Sequence, residues 1–569
     1  MDRTAWIAVA LCVIGLLGWE WWIQKQTPPR PALTASPTVS PAFAATSATA
    51  APFASPVASA TPPVAEPTPS FAEKFETLRN DDAELRLTNR GGGISDVVVL
   101  KQIAEGNKRV TINSPQRTPI GAMIDQPDAP LLPEFSLSRD PDGAVRFERT
   151  TPEKITIRKK FFFVKASESK DNFNAELDVD LVNGGAELYQ NPGYYVALGS
   201  AIPIHARDYP YYTRLVWCID GKAHDKNVSW FEGGSGVLGV GQRAPQLFYQ
   251  ENTAPSEWAA VTNQFFTTLI APLTTKANGV WGRRLDVAPE QKRFGIEGAV
   301  HMPGFQLPPG QTYSARFEIY AGPKIYHRLA QLDHNEAEIM NFGLFKLVSQ
   351  FLLNFMNLLH GVLWNSYAAA ILALTTIIRL VLWPLQSKAN RSMRQTAALA
   401  PKMQELREKY KDDPTKMNQE VMKLYKEYGI NPVGGCLPMA IQIPIFFGLY
   451  QMLAQAVELR NAKFLWVHDL SQPDTVAQLP GLGWNINIIP LCMAATQLWL
   501  MQMTPKTGDA TQRRVMMFTP LIFLFFCYNF AAALALYYTT QNLFSILQFY
   551  LNKKQPMPKL EKVAVAKRK

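Results

Sequence analysis

The stretch that most constrains this chain is Trp364 to Leu385, WNSYAAAILALTTIIRLVLWPL, an apolar run interrupted by one cation. At ~1.5 Å per residue, about 20 helical residues cross the ~30 Å hydrocarbon core of a bilayer, so the run reads as a membrane span. Trp364, Tyr367 and Trp383 stand near its ends, where amphipathic rings settle at the two interfaces. Arg379 lies inside it, with Thr375 one turn earlier on the same face. An arginine costs roughly 2.5–3.5 kcal/mol at the centre of an inserted helix. Two readings compete: a charge kept for a functional site, and a side chain that snorkels the ~6 Å to Trp383 and the interface.

The rest of the chain weighs between them. Its 569 residues allow two or three domains. All the cysteines but Cys218 fall in apolar segments, with no paired framework or zinc spacing, so neither disulfides nor a structural metal is expected to hold the fold. The net charge of +10 is compatible with nucleic acid, but the basic residues crowd beside apolar runs, which points to membrane topology. Near the start, Asp2 and Arg3 precede an apolar run from Trp6 to Ile23 that ends on Trp19, Glu20, Trp21 and Trp22. A cleaved signal has a shorter apolar core and ends on small residues, so 1–25 reads as an uncleaved anchor, cleavage near Ala44 being the alternative. Residues 26–70 form a Pro/Ala-rich tether whose only charges are Arg30 and Glu66; such a composition buries no core.

From 71 to 324 the texture changes to short alternating runs, such as Glu84 to Thr88, Ile155 to Arg158 and Ala175 to Leu181. Asn89-Arg-Gly-Gly-Gly93, Asp140-Pro-Asp-Gly143 and Asn183-Gly-Gly185 punctuate them. Period-two alternation with such turns predicts a large antiparallel β-sandwich. Gly234-Ser-Gly236-Val-Leu-Gly239 imitates a dinucleotide fingerprint, but Pro245 follows and no helix pattern opens. The histidines here (205, 224, 301 and 327) show neither metal spacing nor a neighbouring nucleophile motif.

Residues 325–361 turn helical. Met340, Leu344, Leu347, Phe351 and Phe355 recur at spacings of three and four, which predicts an amphipathic helix at a membrane interface or docked on the β-domain. A membrane span over 362–385 follows, with Pro384 marking its exit. Residues 386–430 then carry ten Lys/Arg and six Asp/Glu. Met403, Leu406 and Tyr410 make one helical stripe; Met417, Val421, Leu424 and Tyr428 make another, with Pro414 suited to opening the second helix. That is a helical hairpin.

Apolar tracts then run from Gly434 to Val457, Trp484 to Met503 and Val515 to Leu551, the last long enough for two spans with a turn near Asn529 to Ala533. With the anchor, this predicts six crossings, four of them within 431–551, and a basic tail from 552 to 569. Twenty Lys/Arg lie in the hairpin, the 504–514 loop and the tail, against Arg460 and Lys463 in the 458–483 loop. That asymmetry places the hairpin and both termini in the cytoplasm and the β-domain outside. Polar residues recur within the spans: Gln442, Asn487, Gln497, Tyr537, Tyr538, Thr539, Thr540, Gln541 and Asn542. Many should face the bundle interior or water, with hydrogen bonding between helices as the plain alternative.

These residues carry a resemblance. Asn431-Pro-Val-Gly-Gly-Cys-Leu-Pro438, leading into Gln442-Ile-Pro-Ile-Phe446 and Leu449-Tyr450, resembles the signature of the YidC/Oxa/Alb insertases, in the Gram-negative form with a large periplasmic domain. Val457-Glu-Leu-Arg460, Trp466-Val-His-Asp-Leu-Ser471, the Arg379 helix, Leu536-Tyr-Tyr538 and the tethered β-domain match in order. The resemblance implies a multi-pass inner-membrane protein with a five-helix insertase core and a periplasmic all-β supersandwich related in fold to sugar-binding domains. It implies a hydrophilic groove, open to the cytoplasm and to lipid, at Arg379, Thr375, Gln442, Tyr537 and Tyr538. The implied partners are nascent membrane proteins, the Sec translocase, membrane lipids and the ribosome, the last through hairpin and tail. Neither catalysis nor a cofactor is implied. Where the family often has Pro and Gly between helices five and six, this chain reads Phe530-Ala-Ala-Ala-Leu534, which leaves that turn open. Two other classes compete: a secondary transporter, which should show internal repeats that are not found here, and a membrane-anchored carbohydrate-binding receptor.

Overall fold

The computed structural model describes residues 71–127, 131–164, 172–205, 208–234, 242–252, 255–288, 293–332, 334–430, 437–478, 485–504 and 510–553. The expected anchor and tether, positions 431–436 of the signature, most of the glycine decoy and the tail from 554 lie outside the described residues. Gly234, where that decoy begins, forms an isolated bridge with Arg243.

Alternation between Phe75 and Pro323 builds three antiparallel sheets. The largest has nine strands: Lys222–Asn227, Arg214–Ile219, Trp258–Thr262, Phe266–Pro272, Thr312–Pro323, Asn174–Asn183, Ile155–Phe163, Val145–Thr150 and Ser136–Arg139. Its register shows how the pattern works. Ala315, Phe317 and Ile319 stand opposite Val179, Leu177 and Ala175, all buried, while Arg316 stands opposite Asp178 between them. A five-stranded sheet (Phe248–Glu251, Gly279–Ala288, Arg293–Leu307, Tyr189–Ala201, Met123–Ile124) lies face to face with it. The sheets approach closely at Gly298, where a Cβ would stand 2.9 Å from both Leu215 and Val261. Strands Phe75–Arg79, Ala83–Thr88, Gly93–Ile103 and Arg109–Ile112 form the third sheet.

One lysine is locked into this core. Lys159 is fully buried, and its Nζ donates to Gly91 O and Gly92 O, each at 2.8 Å, and to Gly121 O at 3.2 Å. These glycines have φ of +70°, +57° and +77°, a left-handed conformation that turns their carbonyls inward at little steric cost. Phe135 presents its ring 4.8 Å from the ammonium. Burial, helped by the like charge of Arg149, pushes the ammonium down to about 7.

Among the described residues, eight helices of ten residues or more follow: α1 (Lys346–Val362), α2 (Tyr367–Ala398), α3 (Ala400–Lys409), α4 (Pro414–Glu427), α5 (Leu437–Gln455), α6 (Ile488–Met503), α7 (Ala510–Cys527) and α8 (Ala532–Lys553). Among the described residues, α2 is the helix long and apolar enough to cross a membrane; α6 is apolar but shorter. Ser366 caps α2, its hydroxyl accepting from Ala369 N. Pro384, read above as the exit of the span, lies inside α2, which runs 32 residues, ~48 Å, to Ala398. An internal proline removes one ladder bond and bends a helix, but the polar residues after it need not stop the helix once it leaves an apolar medium.

The interfacial helix is shorter than its pattern. Met340 belongs to a buried 3-10 turn, Glu336–Met340, and α1 begins at Lys346. Ser349, Leu352, Leu353 and Met356 bury its inner face against α2 and α5, so α1 docks mainly on these helices. Leu347 and Phe351 point outward, 80% and 65% exposed. Helices α3 and α4 form a helical hairpin around Leu399, Tyr425 and Ile430, while residues 386–398, assigned to the hairpin from the sequence, continue α2. Pro414 stands at its second start, where the Asp413 carboxylate accepts from Lys416 N at 3.0 Å.

Candidate functional site

Helices α2, α5 and α8 pack together, and their polar residues meet between them. On α8, Tyr537, Gln541, Ser545 and Gln548 fall at steps of four, four and three, one face of a helix. Gln442 of α5 reaches that face: its Nε2 donates to Tyr537 OH at 3.2 Å and to Gln541 Oε1 at 3.1 Å. Lower on the seam, Gln548 Nε2 donates to Trp383 O at 3.3 Å and to Ser387 Oγ at 3.2 Å on α2. Asn542, on the neighbouring face, donates to Met493 O at 3.3 Å and Thr496 Oγ1 at 3.2 Å of α6.

Arg379 is half-buried on α2, and the electrostatic neighbours of its guanidinium are the Tyr537 and Tyr538 phenols. Among the described residues no carboxylate is one of those neighbours. Thr375, a turn away, is buried, and its hydroxyl donates to Ile371 O of its own helix at 2.7 Å. Tyr538 turns toward an aromatic cluster, its ring centroid 5.4 Å from Phe446 and 5.0 Å from Phe523. So α8 presents amides and hydroxyls to α2 and α5 and aromatic surface to α5 and α7. Of the five groove residues expected from the sequence, Gln442, Tyr537, Tyr538 and Arg379 come together; Thr375 bonds backward instead of into the seam. Gln541 and Gln548 join it, and their seven-residue spacing in line with Tyr537 was the available signal.

The end of the bundle next to the sheets is closed by the loop between α5 and α6. The Asp474 carboxylate accepts from Ile488 N at 2.9 Å, Ile489 N at 2.7 Å and Trp466 Nε1 at 3.3 Å, capping α6. Leu470 O and Gln472 O accept from Ala533 N and Ala532 N, satisfying orphan amides of α8. This fixes the turn that the sequence left open: α7 ends at Cys527, and α8 starts at Ala532 under the loop. From the β-domain, Tyr209 OH donates to Asn529 O at 3.2 Å, and Gln472 Nε2 bonds His205 Nδ1 at 3.2 Å and Asp208 Oδ1 at 3.3 Å. The gap left between Tyr209, Gln264, Tyr450 and Phe530 is about 20 Å³, room for one water.

Such an arrangement can solvate a polar segment within an apolar bundle; it offers donors, acceptors and one positive charge, and no nucleophile–base pair. Among the described residues no cluster of His, Cys, Asp and Glu could hold a metal. A large β-domain joined to a helical bundle with a polar seam and a membrane-length helix is the architecture of a membrane protein with an extramembrane domain.

Comparison with known proteins narrows the class. Residues 77–355 match the family model described as YidC periplasmic domain, and 358–559 match that of the 60Kd inner membrane protein. The curated relative "Membrane protein insertase YidC" of Syntrophobacter fumaroxidans is 38% identical over 301 residues, 52% of this chain and 53% of that one. Its namesake in Nitratidesulfovibrio vulgaris (strain Miyazaki F) is 34% identical over 365 residues, 63% and 61% of the two chains. The namesake in Nitratidesulfovibrio vulgaris (strain DP4) is 29% identical over 580 residues, 96% and 98%. The chain thus spans somewhat more than half the length of the first two relatives and nearly all of the third. It belongs to the YidC family of bacterial inner membrane proteins with a periplasmic domain.

Proposed function

We propose that the protein inserts nascent membrane proteins into the bacterial inner membrane and assists their folding, alone or with the Sec translocase. The observation that carries this reading is the half-buried Arg379 guanidinium on a membrane-length helix, set toward Tyr537 and Tyr538 beside the Gln442–Gln541 bond and with no carboxylate neighbour among the described residues. A polar cavity partway into the bilayer lowers the cost of moving a short hydrophilic segment, because the site replaces hydration that hydrocarbon would strip away. Arg379 attracts acidic and polar groups on that segment. The aromatic surface of α5 and α7 offers a path along which a new apolar helix passes into lipid. Burying that helix is itself favourable, so the step needs neither nucleotide nor covalent chemistry.

In this reading α2 and α5 to α8 are a five-helix core, and with the anchor in 1–25 they make six crossings. The Lys/Arg asymmetry sets the α3–α4 hairpin and both termini in the cytoplasm and the sheets in the periplasm. The closure by the Asp474 loop then seals the groove from the periplasm. Hairpin and tail, both basic, are the surfaces offered to a ribosome and to anionic lipid. A photo-crosslinker replacing Tyr538 should capture a ribosome-stalled nascent membrane protein, while the same group at Leu131, exposed on the β-domain, should not. Absence of an adduct at position 538, or equal capture at both positions, would overturn the groove.

A further inference from the structure

A second cavity lies in the β-domain, well away from the seam on α8. It encloses about 340 Å³ where the 104–113 segment, the 200–204 segment, the 261–268 segment and Arg293 converge. Three cations line it, Lys108, Arg109 and Arg293, against one carboxylate, Glu105. Lys108 and Arg109 are exposed and have no ion pair among the described residues. Arg293 is pinned, its Nη2 donating to Pro203 O at 2.6 Å, while its Nε and the nearby Thr268 Oγ1 are buried with no partner among the described residues. Concave walls focus the field of like charges, and guanidinium forks match the oxygens of a tetrahedral oxyanion. The volume exceeds that of several waters at ~30 Å³ each, enough for a phosphate and the short polyol esterified to it.

The position of the cavity narrows the source of the phosphate. Its wall residue Ala104 follows Ile103, whose carbonyl accepts from Arg460 Nη2 at 2.7 Å, and Asn263 precedes Gln264, whose Nε2 donates to Ala454 O at 2.7 Å. Both partners stand at the end of the helices closed by the Asp474 loop. We propose that this cavity binds the phosphate of an anionic glycerophospholipid headgroup, holding the β-domain against the outer leaflet. The leaflet assignment rests on the topology proposed above; the phosphate site does not. A lipid held by Lys108, Arg109 and Arg293 would bridge the β-domain to the bilayer beside the helix ends, adding to the protein contacts at Arg460 and Gln264.

The test uses the full chain in nanodiscs of mixed phosphatidylglycerol and phosphatidylcholine, with retained lipid counted by native mass spectrometry. Soluble glycerophosphoglycerol, inorganic phosphate and glycerophosphocholine are titrated in parallel by calorimetry. Wild type should retain phosphatidylglycerol over phosphatidylcholine and bind glycerophosphoglycerol. The Lys108→Gln/Arg109→Gln double variant, altered only at exposed side chains, should weaken both by about tenfold or more. Glu105→Gln removes the opposing charge and should strengthen both, which a misfolded variant would not do. Inorganic phosphate binding as tightly as the glycerol ester, with lipid retention unchanged by the double variant, would replace the lipid by a free anion. Equal retention of both lipids, or no dependence on these residues in either assay, would overturn the site.

Discussion

A guanidinium in an apolar helix is tolerated only where dipoles or water solvate it, and the phenols of Tyr537 and Tyr538 are electrostatic neighbours of Arg379. With no carboxylate among its described neighbours, the charge is, in the proposed function, available to a passing acidic segment. Arg379→Ala should reduce insertion of substrates with acidic translocated segments by about fivefold, the equivalent of ~1 kcal/mol, as read by protease protection of the inserted product. Arg379→Lys keeps the charge and should lose less. Full activity of the alanine variant on every substrate would make Arg379 a snorkelling interfacial residue. Lys159 poses the opposite problem, a buried charge serving structure. Its native proton affinity is lowered to about 7 against 10.5 for the free side chain, so between those values the unfolded chain binds the proton and the native one does not. Lys159 should therefore make stability rise with pH across that window, and Lys159→Met should remove that share of the slope. It should also lower stability throughout by roughly 2–4 kcal/mol, because three inward carbonyls lose their donor. Thermal unfolding of both proteins at several pH values checks the sign.

Elements were legible to unequal degrees. The hairpin could be read from two apolar stripes and Pro414, and its small core of Leu399, Tyr425 and Ile430 is its own. Because that small core is separate from the core of the other helices, replacing 400–427 by a short Gly/Ser linker should leave the remaining helices folded while insertion falls. Wild-type insertion in cells carrying only that form would remove the hairpin from the mechanism. The α5–α6 loop carried no such signal, since Asp474 looks like any loop carboxylate until it is seen beneath the first turn of α6. Asp474→Ala should cost about 1–2 kcal/mol, the usual range for a lost cap. It should also open the seam from the sheet side: a single cysteine replacing Tyr538, in a background without the native thiols, should begin to react with an impermeant maleimide added outside.

At the scale of the whole molecule, the sheets and helices are joined by side chains that would be orphaned apart. Fully buried Lys324, its ammonium pushed well below the ordinary lysine range by burial and by Arg214, reaches Gln455 Oε1 at 3.5 Å, and Gln455 Nε2 donates to Met340 O at 3.1 Å. Arg460 donates to Ile103 O and stacks 5.1 Å from Phe265. Gln455→Leu should destabilise the chain by roughly 1–3 kcal/mol, since it strips the buried lysine of its acceptor. It should also split one unfolding transition, followed by tryptophan fluorescence in detergent, into separate steps for sheets and helices. A single unshifted transition would show that the two parts are held by packing alone.

What the sequence determined by itself was local. Alternation with glycine turns made the region from Phe75 to Pro323 antiparallel sheet, because successive side chains in a strand face opposite ways. Apolar length made α2 a membrane-length helix, and the lone arginine in it marked where to look for a site. Tertiary structure alone decided which polar residues meet. Gln442 and Gln541 are 99 residues apart, and Lys159 and Gly91 are 68, so no periodicity relates them. It also set the limits of elements: α2 continues past Pro384, and α8 begins under the carbonyls of the loop instead of at a turn residue of its own. The physical reason is one of range. Side-chain sterics and solvation act within a few residues and write a period into the chain. Hydrogen bonds across a bundle depend on the register of packed helices, which the whole set of buried contacts selects at once.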